Sequence, residues 1–113
     1  MSRSSEFVEF VVENLQALGP VYPKRMFGGY GIFMDGLMFG LITDDTLYLK
    51  ADALNDAAFE EHGLAHFEYH RKDKVIRLSY RLAPESVFDD PDELVEWGGR
   101  SYAAARRSNP RVV

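Results

Sequence analysis

An Asp35-Gly36 pair between two short apolar runs is the feature that most limits how this 113-residue chain can fold. Asp-Gly is the strongest short signal for a two-residue hairpin turn, because both turn positions need positive φ angles. A second turn signal follows at residues 43–46. We therefore predict three antiparallel strands, over residues 25–34 with a kink at Gly28-Gly29, residues 37–42 and residues 46–50.

An amphipathic helix is predicted before this sheet. Apolar side chains recur at helical spacing between Phe7 and Leu18, and Ser4 or Ser5 can serve as the N-cap. Gly19-Pro20 ends the helix, because proline cannot continue it and glycine tolerates a left-handed turn.

Two further helices are predicted after the sheet. The first covers residues 53–62, with Gly63 as its stop. The other begins at Asp90-Pro91, where a capping aspartate precedes a proline at the first helical position. It runs toward Ala105, and we expect Gly98-Gly99 to kink or break it.

Residues 65–70 and 75–82 are predicted to form another hairpin. Pairing His70 with Val75 places Glu68 opposite Arg77 and Phe67 opposite Leu78, and a one-residue slip would break these pairs. The alternation of side chains in the second strand predicts one buried face and one solvent-exposed face. The buried face holds Ile76, Leu78, Tyr80 and Leu82, and the solvent-exposed face holds Val75, Arg77, Ser79 and Arg81.

The predicted order of elements is therefore α-β-β-β-α-β-β-α. Hairpin links favour an antiparallel sheet, so we expect an α+β two-layer sandwich in which helices cover five strands. The length suits one domain, which we place at residues 1–105, followed by a frayed basic tail at residues 106–113.

Composition excludes several classes of protein. The chain has no cysteine, so it can form no disulfide and no thiolate-ligated metal site. It has no apolar run of the roughly 18 residues that span a bilayer, and its first ten residues do not resemble a signal peptide. We expect a cytoplasmic protein without a membrane partner. The net charge of −5 repels nucleic acid, except at a local basic patch.

The stretch from Lys24 to Phe33, followed by residues 35–41 and 47–50, resembles the N-terminal domain family of TfoX, the bacterial competence regulator also called Sxy. The motif residues are Met26, Phe27, Gly28, Gly29, Gly31, Leu47, Tyr48, Leu49 and Lys50. The resemblance implies a helix-capped, five-stranded antiparallel sheet related to secretion-chaperone-like folds. It also implies a regulatory, non-enzymatic role.

Chemistry-bearing patterns are sparse in this sequence. The glycines at 28–31 are read as a bulge or kink, because a phosphate loop requires a following helix. His62, His66 and His70 are four residues apart, but on a strand that spacing is about 13 Å, too far for one metal ion. We predict no cofactor, no metal and no catalytic residues, and a small-ligand binder or enzyme stays open as an alternative.

Both faces of the first three strands are apolar, although an antiparallel sheet normally has one polar face. With Asp35-Gly36 as a regular turn, the predicted core face holds Gly31, Phe33, Met38, Gly40, Ile42, Leu47 and Leu49. The other face holds Tyr30, Ile32, Met34, Leu37, Phe39, Leu41, Tyr48 and Lys50. Either other parts of the chain cover that face, or a partner does, most simply a second copy in a homodimer. The predicted interface residues are Tyr30, Ile32, Met34, Phe39, Leu41 and Tyr48.

A second alternative is an accessory domain that binds nucleic acid. Its candidate anion-binding residues are Lys24, Arg25, Arg100, Arg106, Arg107 and Arg111. The last predicted helix is acidic at its start and basic at its end, a distribution that complementarity to the helix dipole explains without a ligand.

Overall fold

Six antiparallel strands form a single sheet in the order β1-β2-β3-β4-β6-β5. The structure, a computed structural model, describes residues 3–26 and 28–109, with side chains from Glu6 onward. The elements in chain order are α1 (Arg3–Leu15), β1 (Tyr22–Met26), β2 (Gly29–Met34), β3 (Leu37–Thr43), β4 (Thr46–Lys50), α2 (Asp56–Glu61), β5 (His66–Arg71), β6 (Lys74–Leu82) and α3 (Pro91–Arg107). Short 3-10 helices follow α1 (Gln16–Leu18) and precede α3 (Glu85–Phe88).

The α+β class and the antiparallel sheet are confirmed, but the prediction of five strands is wrong. Residues 25–34 are not one kinked strand, because the chain reverses between Met26 and Gly29, which pair with each other. A Cβ atom at Gly29 would overlap the carbonyl oxygen of Ile42, so the reversal needs a glycine there. The extra strand, β1, contains Pro23 and lies at the sheet edge, where a proline costs no ladder hydrogen bond.

The Asp35-Gly36 turn forms as predicted. Met34 pairs with Leu37 across it, and the two turn residues have φ angles of 54° and 78°. Beyond the turn the ladder is irregular, since Phe33 pairs with Met38 but Ile32 pairs with Gly40. Phe39 is thus the extra residue of a β-bulge, which shifts the alternation of side chains in β3 by one position.

This bulge corrects the predicted assignment of faces. Ile32, Met34 and Phe39 have exposed fractions of 0%, 6% and 0% and lie in the core beneath the helices. The ring of Phe39 meets Tyr102 of α3 edge-to-face, with centroids 5.6 Å apart. Gly31, Phe33 and Met38, which were assigned to the core face, lie on the opposite side of the sheet, while Gly40, Ile42, Leu47 and Leu49 face the core as predicted.

The helix α3 is continuous through Gly98-Gly99, so the predicted kink is wrong. A Cβ atom at Gly98 would lie 2.8 Å from Cδ2 of Leu15, which is fully buried. These glycines therefore allow α1 to pack closely on α3. Asp90 caps α3 as predicted, because its carboxylate accepts the backbone N–H of Asp92.

The end of α3 differs from the predicted tail. The helix continues to Arg107, so Arg106 and Arg107 belong to the last element of the domain. Arg111 lies outside the described residues. Within residues 3–26 and 28–109, no helix has both the length and the apolar composition needed to cross a membrane.

The prediction of a solvent-exposed face on β6 is wrong at Arg81. Its exposed fraction is 4%, and its guanidinium lies between the sheet and α2. It donates to Asp56 at 2.9 Å, to Glu60 at 3.1 Å and twice to the carbonyl of Leu64, at 3.1 and 2.6 Å. A buried charge is tolerated here because each guanidinium nitrogen has an acceptor.

Candidate interaction surface

The face of the sheet opposite the helices carries an apolar and aromatic surface, which we call the open face. Strand pairing places its members together, because directly opposed residues point to the same side. Its side chains are Tyr22, Phe33, Met38, Leu41, Tyr48, Phe67, Tyr80 and Leu82, and most of them are half-buried. Tyr22 is 42% exposed, a high value for a large apolar ring.

Contacts within the open face fix its rings in place. Tyr22 and Phe33 stack with centroids 5.7 Å apart and planes 14° apart. Tyr48 and Phe67 meet edge-to-face at 4.9 Å. The hydroxyl of Tyr80 donates to the carbonyl of Met38 at 3.1 Å, and burial raises the pKa of Tyr80. The surface is therefore organised in advance of any contact with a partner.

A groove deepens the open face between the β3–β4 hairpin and β5. It has a volume of about 360 Å³, and its floor includes Leu41, Tyr48 and Phe67. Asp44 and Glu68 are also among the residues that line it. Two lysines lie on other parts of the open face. The Lys24 ammonium is 5.7 Å from the ring centroid of Phe33, and the Lys50 ammonium is 5.4 Å from the ring centroid of Tyr80.

The predicted interface residues divide between the two faces. Ile32, Met34 and Phe39 belong to the monomer core, so placing these three at a contact surface is wrong, whereas Tyr30 is half-buried on the helix side of the sheet. Leu41 and Tyr48 point to the open-face side of the sheet, where Tyr48 is half-buried and Leu41 is only 1% exposed. Sequence reasoning missed Tyr22, Phe33, Met38 and Phe67 as members of the open face. The sequence carries no clear signal for Tyr22, and the β-bulge in β3 decides on which side of the sheet Phe33 and Met38 lie.

The motif residues that carry the family resemblance have mixed positions. Leu47 and Leu49 are buried in the core, whereas Tyr48 and Lys50 face the other way. Gly28 has a φ of 73° in the reversal between β1 and β2. Gly31 leaves space that the sulfurs of Met26 and Met38 fill, since a Cβ atom there would lie 2.6 and 2.8 Å from them. Phe27 lies outside the described residues.

The glycine segment has a structural role in the described chain. It leads from the reversal directly into β2, which continues to Met34. No helix starts there within residues 28–36, so the arrangement of a phosphate-binding loop is not formed.

The candidate anion-binding residues are not brought together. Lys24 and Arg25 lie on β1 and point to opposite faces, because they pair with Gly31 and Tyr30. Arg100 donates to Glu96 at 2.6 Å.

Arg107 holds Asp52 with two hydrogen bonds, of 2.6 and 2.9 Å. This bidentate contact lowers the pKa of Asp52 to about 2. Arg106 is exposed in the last turn of α3. Two of the six candidate cations, Arg100 and Arg107, therefore already pair with carboxylates of the same chain.

The three histidines are also separate. His62 ends α2 and places its ring edge-to-face on Trp97 at 5.4 Å, whereas His66 and His70 lie on β5, as the strand interpretation predicts. Across residues 3–26 and 28–109, no group of three histidine or acidic side chains is arranged to hold a metal ion.

Fold and surface together define a small α+β domain with helices on one face of an antiparallel sheet and an aromatic open face on the other. The family model described as the TfoX N-terminal domain matches residues 13–105, and the chain belongs to that family.

Two curated relatives share this domain. The "DNA transformation protein TfoX1" of Aliivibrio fischeri is 36% identical over 81 residues, which is 72% of this chain and 39% of the relative. "Protein Sxy" of Escherichia coli is 27% identical over 93 residues, which is 82% of this chain and 44% of the relative. The chain thus spans less than half the length of both relatives.

Proposed function

We propose that this chain is a non-enzymatic regulatory domain that acts by protein–protein contact and pairs through its open face with a second copy of itself. The observation that carries the proposal is the apolar, ring-rich side of the sheet. A large apolar patch with a polar rim marks an interaction site in a folded domain. Membership of the TfoX N-terminal family supports the regulatory part of the proposal.

The edges of the sheet are less suited to pairing than its face. The edge strand β1 carries Pro23, Lys24 and Arg25, and the edge strand β5 carries His70 and Arg71. Proline and charged residues on an edge strand disfavour the addition of another strand. The face is therefore the surface that a partner would cover.

A second copy suits the distribution of charge around the open face. Lys24 and Lys50 lie on its β1–β4 side, and Asp44 and Glu68 are among the residues that line the groove. In a two-fold dimer, the same surface of both protomers meets, so a residue i of one copy contacts a residue j of the other and residue j of the first contacts residue i of the second. Such a pairing can bring the lysines of each copy toward the acids of its partner while the rings bury one another.

The closest serine–carboxylate pair in the described chain does not argue for catalysis. Ser86 of the 3-10 helix donates to Glu93 in the first turn of α3 at 2.6 Å, and this bond lies at the protein surface. The bond joins the 3-10 helix to the first turn of α3, where polar side chains commonly stabilise a helix end. We assign it a structural role.

Light scattering coupled to size-exclusion chromatography tests the proposal, with Tyr22→Glu as the disrupting variant. We expect the wild type to have the mass of a dimer and Tyr22→Glu to have that of a monomer, because a charge would enter an apolar contact. Phe10→Glu is the matched control, since Phe10 on α1 is 40% exposed and Tyr22 is 42% exposed. A monomeric wild type at high micromolar concentration, or equal effects of the two substitutions, would overturn the proposal.

A further inference from the structure

The β5–β6 hairpin extends beyond the rest of the sheet. β4 pairs with β6 only through Tyr80, Arg81 and Leu82. Within the described residues, positions 68–78 therefore pair with no third strand, and most of their side chains are exposed. We call residues 68–78 the ribbon.

The ribbon is basic in a chain that is acidic overall. It contains four cations, Arg71, Lys72, Lys74 and Arg77, against the acids Glu68 and Asp73, which gives it a net charge of +2 in a chain of −5. Arg77 pairs loosely with Glu68 at 3.6 Å. In the described part of the chain, Arg71, Lys72 and Lys74 form no ion pair with a carboxylate.

The cations surround the tip on both strands. Arg71 pairs directly with Lys74 across the ribbon, and Lys72 lies in the turn between them, where it has a φ of 54°. Val75 and Ile76 follow, with exposed fractions of 57% and 41%. The ribbon thus presents two β-branched side chains next to a ring of positive charge, and the monomer core buries neither of them.

Apart from Glu68 and Asp73 within the ribbon, the acids of the described chain lie on the helices and on other turns and loops. The six strands hold seven lysines and arginines but only one acid, Glu68, so the excess negative charge lies on the helices and turns. The ribbon tip holds one acid, Asp73, among three cations, Arg71, Lys72 and Lys74, so a polyanion that approaches the tip meets a net positive charge.

We propose that the ribbon is a contact site for double-stranded DNA, with its tip in the major groove and its cations on the flanking phosphates. A two-stranded β-ribbon has the width that the major groove of B-form DNA admits. Arginine and lysine on both strands can then reach phosphates on the two sides of the groove, and apolar side chains such as Val75 can contact thymine methyl groups. The ribbon adjoins the groove of the open face at Glu68, but its four cations do not line that groove, and the proposal does not depend on the dimer.

Fluorescence anisotropy of a labelled DNA duplex of about two helical turns tests the proposal. We expect the wild type to bind at about 50 mM salt and to lose affinity steeply toward about 200 mM, with a log–log slope near −3.6 for four phosphate contacts. The double variant Lys72→Glu/Lys74→Glu should bind about tenfold or more weakly, with a slope shallower by about 2.

The matched control is Arg100→Glu/Arg106→Glu, which makes the same change in net charge on α3. We expect it to change the affinity less than twofold, with both variants retaining the circular dichroism spectrum of the wild type. Lys72→Ala/Lys74→Ala provides a milder second test of the same site.

Three results would overturn the assignment. The first is no DNA binding by the wild type at low salt, and the second is equal weakening by the ribbon pair and the α3 pair. The third is equally tight binding of an A-form RNA duplex, whose major groove is too deep and narrow to admit the ribbon.

Discussion

Two phenylalanines six positions apart in β2 and β3 have opposite environments, although their side chains are chemically identical. Phe39 is fully buried under α3, whereas Phe33 stacks on Tyr22 at the surface of the open face. Regular alternation predicts the reverse assignment for both. No local propensity marks the bulge that exchanges them, because it depends on how β3 packs against helices far away in the sequence.

Substitution of these two residues tests the assignment of faces. Phe39→Asp should unfold the domain, because large core truncations alone cost about 3 to 5 kcal/mol against a total stability of about 5 to 15 kcal/mol, and the substitution also buries a charge. Phe33→Asp should leave the domain folded. Circular dichroism melting of both variants provides the measurement, and a folded Phe39→Asp protein would contradict the assignment.

Arg81 allows a second test at the scale of one residue. Arg81→Met should lower the stability by about 1 to 3 kcal/mol, because it removes four hydrogen bonds and leaves the Leu64 carbonyl unsatisfied. Arg77→Met, on the same strand but exposed, should change the stability by less than about 0.5 kcal/mol. Urea unfolding curves compare the two variants. Equal unfolding midpoints would show that the hydrogen bonds of Arg81 add no more to the stability than the exposed side chain of Arg77 does.

At the scale of elements, the bidentate pair of Asp52 and Arg107 fastens the end of α3 to the loop before α2. Asp52 also accepts the backbone N–H groups of Leu54 and Asn55. One carboxylate therefore both forms the turn that leads into α2 and holds the last helix in place.

This pair predicts how stability depends on pH. The pKa of Asp52 is lowered from 3.8 to about 2 in the folded chain, so its contribution is fully present above about pH 4 and is lost as the pH falls toward 2. Because the pair is partly exposed, solvent screening weakens this contribution. The difference in melting temperature between the wild type and Asp52→Asn should be largest near neutral pH and shrink across that window. A difference that stays constant from pH 6 to pH 2 would contradict this prediction.

The elements that the sequence predicts well are those set by local chemistry. The Asp35-Gly36 turn and the pairing of His70 with Val75 were readable because turn residues and short loops fix the register. β1 was missed as a separate strand because its reversal depends on Gly29 lying against β3, a contact between segments that no spacing rule reveals. The buried side of β6 was missed for a similar reason, since Arg81 enters the interior only when α2 supplies its acceptors.

At the scale of the whole molecule, the two proposed contacts have different physical origins. The open face is mainly apolar, whereas the ribbon is mainly ionic. Apolar association persists or strengthens as the salt concentration rises, whereas contacts with phosphates weaken because releasing counterions into concentrated salt gains less free energy.

Raising the salt concentration should therefore separate the two activities. We expect the dimer mass from light scattering to remain unchanged between about 50 and about 500 mM salt, while DNA binding is lost over the same range. The measurement uses one protein preparation for both readouts. A dimer that dissociates as salt rises would show that charged groups, rather than the rings of the open face, hold the two copies together.

The bulge at Phe39 also has a consequence for how related sequences should be aligned. Because Phe39 has no opposing residue in β2, a homologue that lacks one residue at this position could close the ladder between Phe33–Met38 and Ile32–Gly40 without changing any other pair. Every remaining side chain would stay on the same side of the sheet. The space that the Phe39 ring occupies beneath Tyr102 would then have to be filled by larger neighbouring side chains. A one-residue gap before residue 39 or after residue 40 in β3 would reverse the side of the sheet to which some side chains point, so we expect an alignment gap in this strand at residue 39 or 40.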